Sequence, residues 1–277
     1  MKETMKNAIE SLLELIFGSN FLTDLSEHVM MIPTEFSTTW QTVESIYNSL
    51  FVPLAWCLML MFFMIHMIDN ASYQELTPEK FIKQFGKLIL AACLVANGLV
   101  LLEKFLLLGA GLVGNFQSLS GGIGGGTEIM ETMMEFAEQD TDGFGFWGSL
   151  FFIIKLLIPL VISWIINLVV SVICYSRVLE LMVKTLFAPI PLCDVFSDSY
   201  GHSNSIRYFR GYAATCFQAV VIYAIGFLYS KISVDWITSI QSGGGFEFII
   251  GYLAINLAAI TLIVKSGSFS KELCGAA

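Results

Sequence analysis

The sequence predicts an all-α, polytopic membrane protein with about five transmembrane helices, an N-terminal amphipathic helix, and an apolar helix on the cytoplasmic side after the third span. Three observations carry that prediction. Of 277 residues, 56% are hydrophobic and only 13% charged, a balance foreign to ordinary soluble domains. The apolar residues gather into runs of the ~17 to 25 residues that a helix needs to cross ~30 Å of hydrocarbon. The basic residues, finally, concentrate in alternate connecting segments, which sets a direction for the spans.

In chain order, Met5, Ala8, Ile9, Leu12, Leu13 and Ile16 recur at helical spacing, with Lys6, Glu10 and Glu14 on the other side. This predicts an amphipathic helix lying on a membrane or on a partner. No signal peptide is expected, because the apolar run from Leu12 to Phe17 is short and Glu10 and Glu14 interrupt it. Residues 1–49 form an extracytoplasmic region, 50–264 the membrane domain and 265–277 a cytoplasmic tail. The spans fall at about 50–68, 88–108, 150–175, 211–230 and 246–264, with ends blurred by Glu103, Lys104 and Lys155.

Orientation follows from charge. Lys80, Lys83 and Lys87, then Arg177, Lys184, Arg207 and Arg210, then Lys265 and Lys271 put nine of the fourteen basic residues on one side. The opposite side holds Lys2, Lys6 and Lys231, and its 115–148 loop holds none. The positive side being cytoplasmic, the N-terminus lies outside and the C-terminus inside. Residues 1–49 sum to −5 and the 115–148 loop to −6, whereas the three cytoplasmic segments sum to 0, +1 and +1. No basic patch of the size a nucleic-acid groove requires is present on either side.

The outer loop opens with the Gly-rich stretch Ser120 to Thr127 and continues with an acidic, partly apolar run from Glu128 to Glu138. It reads as a solvated connector or as a docking element for an external partner. Asn97, Asn167, Gln218 and Asn256 sit inside apolar runs, where an amide bonds across to a neighbouring helix or lines a wet pathway.

Catalytic and cofactor motifs fail on context. Gly143 to Gly148 has the spacing of a dinucleotide fingerprint, but no strand precedes it and Phe144, Phe146 and Trp147 would crowd a pyrophosphate. His28, His66 and His202 are far apart, and no zinc-protease or nucleophile-elbow motif occurs. The six cysteines lack a C-x-x-C pair and read as small buried apolar residues. The expectation is a non-enzyme with no cofactor and no metal.

The stretch from Arg177 to Asp194 raises a separate question. A single helix from Leu150 to Ala188 would be ~58 Å long at 1.5 Å per residue, almost twice the hydrocarbon thickness. The part after Arg177 therefore extends beyond the headgroups, bends along them, or dips back. Glu180 and Lys184 are four apart and can pair; Pro189 cannot continue regular helical bonding, and Pro191 reinforces the stop. Leu179, Leu181, Met182, Val183, Leu186 and Phe187 are too many for one shallow lipid contact, so a partner helix, another subunit or the protein's own bundle must cover the rest.

Arg177, Glu180 and the A-P-I-P of residues 188–191, then a polar loop, then the amphipathic start of a span carrying Gln218, resemble the central signature of the polytopic inner-membrane subunit of type IV secretion machines. That is the conjugal transfer protein TrbL family with its relatives in the VirB series. The resemblance covers residues 177 to about 223, and would make this a minimal member without a large C-terminal extension. It implies a channel or assembly subunit of a bacterial conjugation apparatus that helps pass a DNA–protein substrate across the cytoplasmic membrane. Its partners would be the bilayer, the machine's ATPases, extracytoplasmic channel components and further copies of itself, with DNA contacted at most indirectly. Arg177, Glu180, Lys184, Pro189, Pro191 and Gln218 would serve assembly. The competing reading is a secondary transporter of a small solute, against which stands the absence of an internal repeat.

Overall fold

The computed structural model describes residues 11, 27–73, 78–120, 146–196, 203–239 and 245–276. Their regular structure is helical, and no strand occurs among them. The predicted N-terminal amphipathic helix, most of the 115–148 loop and Gly243 with its neighbour Gly244 lie outside the described residues. A 3-10 turn at Pro33–Glu35 leads into α1 (Ser37–Ile46), a π-helical turn at Tyr47–Phe51, and α2 (Val52–Tyr73). There follow α3 (Pro78–Ser120), α4 (Phe146–Phe187), the one-turn α5 (Pro189–Leu192), α6 (Asn204–Ser239) and α7 (Gly245–Leu273).

Among the described residues, five helical stretches are long and apolar enough to cross a membrane: Ser37–Ile68, Phe81–Leu119, Leu160–Phe187, Asn204–Trp236 and Leu253–Leu273. The protein is thus an all-α polytopic membrane protein. The helices outrun the apolar cores that announce them. The first begins at Ser37, well before the expected residue 50, and α3 passes through Glu103 and Lys104 without interruption. Pro78 opens α3 at a position whose N–H has no helical acceptor, and Glu79 follows in the first turn, where the helix dipole favours an anion.

The chain divides into two compact units, each with its own core. One takes described residues within Met1–Met30, Leu112–Tyr175 and Ala219–Ser266. Its centre is Val29, Val113, Val170, Cys174, Ala219, Ile222, Tyr223 and Ile263. There the Tyr229 hydroxyl donates to Asn256 Oδ1 at 2.8 Å, so this amide does join two helices as its position in an apolar run required. His28 packs edge-on against Tyr175.

The other unit takes Met31–Gly111, Ser176–Gln218 and Gly267–Ala277. Ala91, Val95, Gly98, Leu102, Leu106 and Gly109 form its buried stripe on α3, at the three- and four-residue steps that keep one face of a helix inward. Trp40, Tyr47, Leu181, Ala188, Leu192, Tyr212 and Cys216 pack with Leu102 and Leu106. Two glycines in the stripe admit close neighbours: a Cβ on Gly109 would lie 3.2 Å from the Cys216 carbonyl oxygen, and one on Gly98 would lie 2.6 Å from Tyr47 Oη.

Two expectations are corrected within this unit. Asn97 does not reach another helix; its amide donates to the Cys93 carbonyl one turn back at 3.1 Å, on an exposed face. The cysteines are not uniformly buried, since Cys57 and Cys93 are exposed while Cys193 and Cys216 are enclosed. His66 stacks on Phe196, an apolar packing role. Among the described residues no three His, Cys, Asp or Glu side chains come together.

Candidate functional site

The segment that posed the sequence question lies wholly in the second unit. The helix does not break at Arg177: α4 is continuous to Phe187, and its membrane-length apolar stretch is Leu160–Phe187. Residues 178–187 are therefore the direct continuation of the third long helix, and the apolar rod has no separate start.

Its two flanks differ in kind. Val178, Leu181, Met182, Thr185 and Ala188 are buried, whereas Leu179, Val183 and Phe187, spaced four apart, are about half or more exposed. The buried flank is tied down by polar bonds. The Arg177 guanidinium, 4% exposed, donates to the Met31 carbonyl at 2.8 Å. Lys184 Nζ pairs with Glu180 Oε1 at 2.7 Å, in the four-residue spacing the sequence anticipated. The same ammonium donates to Thr215 Oγ1 at 2.6 Å and to the Gly211 carbonyl at 3.1 Å, both on α6. At the next residue, the Thr185 hydroxyl bonds to the Leu181 carbonyl at 2.8 Å and shares a 3.0 Å hydrogen bond with the Tyr212 hydroxyl. The Tyr208 hydroxyl donates to the Lys184 carbonyl.

The bonds from Lys184 and Thr185 to Gly211, Tyr212 and Thr215, with that from Tyr208, staple the C-terminal end of α4 to the first turns of α6. A cation in the last helical turn faces the negative end of the helix dipole, and against an apolar unit an ammonium needs oxygen acceptors. Lys184 finds three. Arginine suits the tighter position, because its planar fork holds a carbonyl in a fixed direction.

Pro189 and Pro191 interrupt bonding without ending the helical path. Neither has an N–H, so the carbonyls of Thr185 and Phe187 lose their usual donors; Thr185 takes the Ala188 N–H instead, at 3.2 Å. Ala188 keeps helical dihedrals, and the turn Pro189–Leu192 follows at once, closed by Leu192 N–H to Ala188 carbonyl at 3.1 Å. The expected stop at Pro189 thus falls at Cys193. Pro189 is buried and Pro191 half-buried.

Cys193 is fully enclosed, its thiol donating to the Ile190 carbonyl at 2.9 Å. Burial, reinforced by the neighbouring Asp194 carboxylate, pushes the thiol up to about 11. Since the folded state raises this pKa, the contribution to stability is whole below about pH 9 and is lost as pH climbs through 11. Alkylation needs the thiolate. Iodoacetamide at pH 8 is therefore expected to leave Cys193 unmodified in the folded protein and to modify it after SDS unfolding, read by peptide mass spectrometry; rapid folded-state labelling would refute the enclosure.

Of the residues singled out from sequence, Arg177, Glu180, Lys184, Pro189 and Pro191 fall in one stapled segment. Gln218 lies one turn beyond Thr215 on α6, its amide against Gly267 of α7, where a Cβ would stand 3.4 Å from Nε2. Sequence reasoning missed Met31, Gly211, Tyr208, Tyr212 and Thr215. A signal existed for three of them: Tyr208, Tyr212 and Thr215 step along one face of a helix, and polar side chains in such a stripe mark a bonded face.

A multi-helix membrane subunit, with a polar staple locking the end of one long helix to the start of another, is the class that this fold and site define. Residues 19–189 match the family described as TrbL/VirB6 plasmid conjugal transfer like protein, and the chain belongs to that family. It is a component of a conjugal transfer, type IV secretion apparatus, in a family of structural membrane subunits rather than a known enzyme class. No curated protein and no solved structure matches. The matched residues stop at Pro189, so they include Arg177, Glu180 and Lys184 and leave out Pro191 and Gln218.

Proposed function

We propose that this chain is the inner-membrane assembly and channel subunit of a conjugative type IV secretion machine, with its N-terminus outside and its C-terminus in the cytoplasm. It helps a DNA–protein substrate cross the cytoplasmic membrane by organising neighbouring subunits. The observation that carries this reading is the two-sided segment 177–192. One flank is fixed by Arg177, Lys184 and Thr185, while Leu179 and Val183 stand outward in a row with a half-exposed Phe187, whose ring packs edge-on against Phe51. A fixed apolar row at the end of a membrane helix offers another membrane subunit a surface whose ordering cost is already met. The net charge of −9 favours assembly and gating over direct contact with DNA. Gln218, whose amide lies against Gly267 of α7, is assigned to the same frame.

Deletion of the gene is expected to abolish conjugative transfer, by several orders of magnitude in recipient counts, with growth unchanged; wild-type transfer from the deletion strain would overturn the reading. Replacing both Pro189 and Pro191 by alanine restores two helical donors and straightens bonding at the end of α4. The double variant is expected to insert normally but to co-purify poorly with the secretion ATPases and extracytoplasmic components. Undiminished co-purification would remove these prolines from the assembly role.

A further inference from the structure

Within the second unit a cavity of about 360 Å³ opens between α3, the segment after α5 and the first turns of α6. None of the residues discussed above as assembly residues line it. Its α3 wall is graded. Lys83 and Lys87 stand at one end, then Gly86, then Leu90 and Leu94 at steps that keep one helix face. Val195, Ile206 and Phe209 complete the apolar part, and Ser203 and Ser205 complete the polar part.

The polar end is built for an anion. Among the described residues, the charged side chains in the lining are the two ammonium groups. Lys87 is held in place by donating to the Phe196 carbonyl at 2.9 Å, while Lys83 is exposed at the rim. The nearby Asp194 carboxylate is engaged by the Asn204 amide. Ser203 and Ser205, each 2% exposed, share one hydrogen bond at 3.3 Å. Two hydroxyls with one bond between them retain a hydrogen to donate. The 36-residue helix α6 begins here, adding the positive end of its dipole.

We infer that this cavity is a phosphate-binding site whose occupant is the headgroup of an anionic phospholipid. The lysines and serine hydroxyls hold the phosphate, and the glycerol and first acyl carbons run along Leu90, Leu94 and Phe209. A soluble phosphate would use the polar end alone and gain nothing from that apolar wall, which is why the lipid is the favoured source. Basic pockets among membrane helices recognise anionic headgroups by this chemistry. The volume is in the range of small-molecule sites.

The test uses the purified full chain in a neutral detergent, titrated separately with phosphatidylglycerol, phosphatidylcholine and inorganic phosphate, following the thermal unfolding midpoint. Phosphatidylglycerol is expected to raise the midpoint saturably, and phosphatidylcholine to leave it unchanged. Lys83→Gln, at the exposed rim, should weaken the apparent affinity about fivefold. Leu90→Glu, also at an exposed position, should abolish the shift by placing a carboxylate on the wall that takes the glycerol and first acyl carbons, one turn from Lys87. Both variants are expected to unfold at the wild-type midpoint without lipid. Variants that titrate like wild type, or phosphatidylcholine acting as well as phosphatidylglycerol, would overturn the site. An equal shift from inorganic phosphate, lost in Lys83→Gln, would retain the anion site and overturn its lipid source.

Discussion

Gly98→Leu is expected to be the most damaging single substitution in the second unit, costing about 3 kcal/mol or more and removing most folded protein from the membrane fraction. The side chain would begin in occupied space. A Cβ at residue 98 stands 2.6 Å from Tyr47 Oη and 2.8 Å from Leu192 Cδ1, below any normal contact. Both neighbours are enclosed, which leaves little room for either to shift: Tyr47 is 2% exposed and Leu192 0%. Tyr47 sits in the π-helical turn before α2 and Leu192 closes α5, so a wedge at Gly98 separates three segments at once. Gly98→Ala should cost about 1 to 3 kcal/mol for the same reason. Gly86→Ala, with nothing within 4 Å of the new carbon, should be neutral or stabilise by up to about 1 kcal/mol, because alanine orders more cheaply in a helix. Thermal unfolding in detergent compares the three. Equal midpoints for Gly98→Leu and Gly86→Ala would show that α3 does not pack here.

Lys184→Met is expected to cost about 2 to 4 kcal/mol and to reduce conjugative transfer at least tenfold. The loss does not come chiefly from the ion pair. Glu180 is 43% exposed and Lys184 25%, so water weakens their attraction to below about 1 kcal/mol. What the methionine cannot replace are the charged hydrogen bonds to Thr215 and the Gly211 carbonyl, which tie α4 to α6 and contribute more each than the surface pair. Glu180→Gln should therefore be mild, under about 1 kcal/mol, and the double variant should match Lys184→Met closely. A result in which Glu180→Gln is as harmful as Lys184→Met would reverse the assignment, making the pair the essential element and the staple incidental.

The sequence spoke clearly about some of this and was silent on the rest. Leu88 to Leu108 announces a membrane helix by composition alone, yet nothing in that run says that the helix continues to Ser120. Helical hydrogen bonding does not stop where hydropathy falls, and Glu103 with Lys104 does not disturb it. Glu180 and Lys184 were legible as a pair because their spacing is local. Arg177 was legible as conspicuous but not as a donor to Met31, 146 residues away. Asn97 and Asn256 looked alike in sequence and part in the structure, one bonding back to its own helix and the other receiving a tyrosine hydroxyl from another. The prolines mark an interruption in both accounts, but only packing around Ala188 and Leu192, both fully buried, kept the chain helical beyond them.

By itself the sequence determined the solvent of this protein and the number of its long helices, because transfer of a side chain from water to hydrocarbon depends on what that side chain is and on how many like it follow. The tertiary structure alone decided which flank of residues 178–187 is held and which stands outward, what Lys184 grips, and why Gly98 must lack a side chain. Those outcomes depend on carbonyls and ring edges carried in by distant segments, whose positions no local spacing encodes.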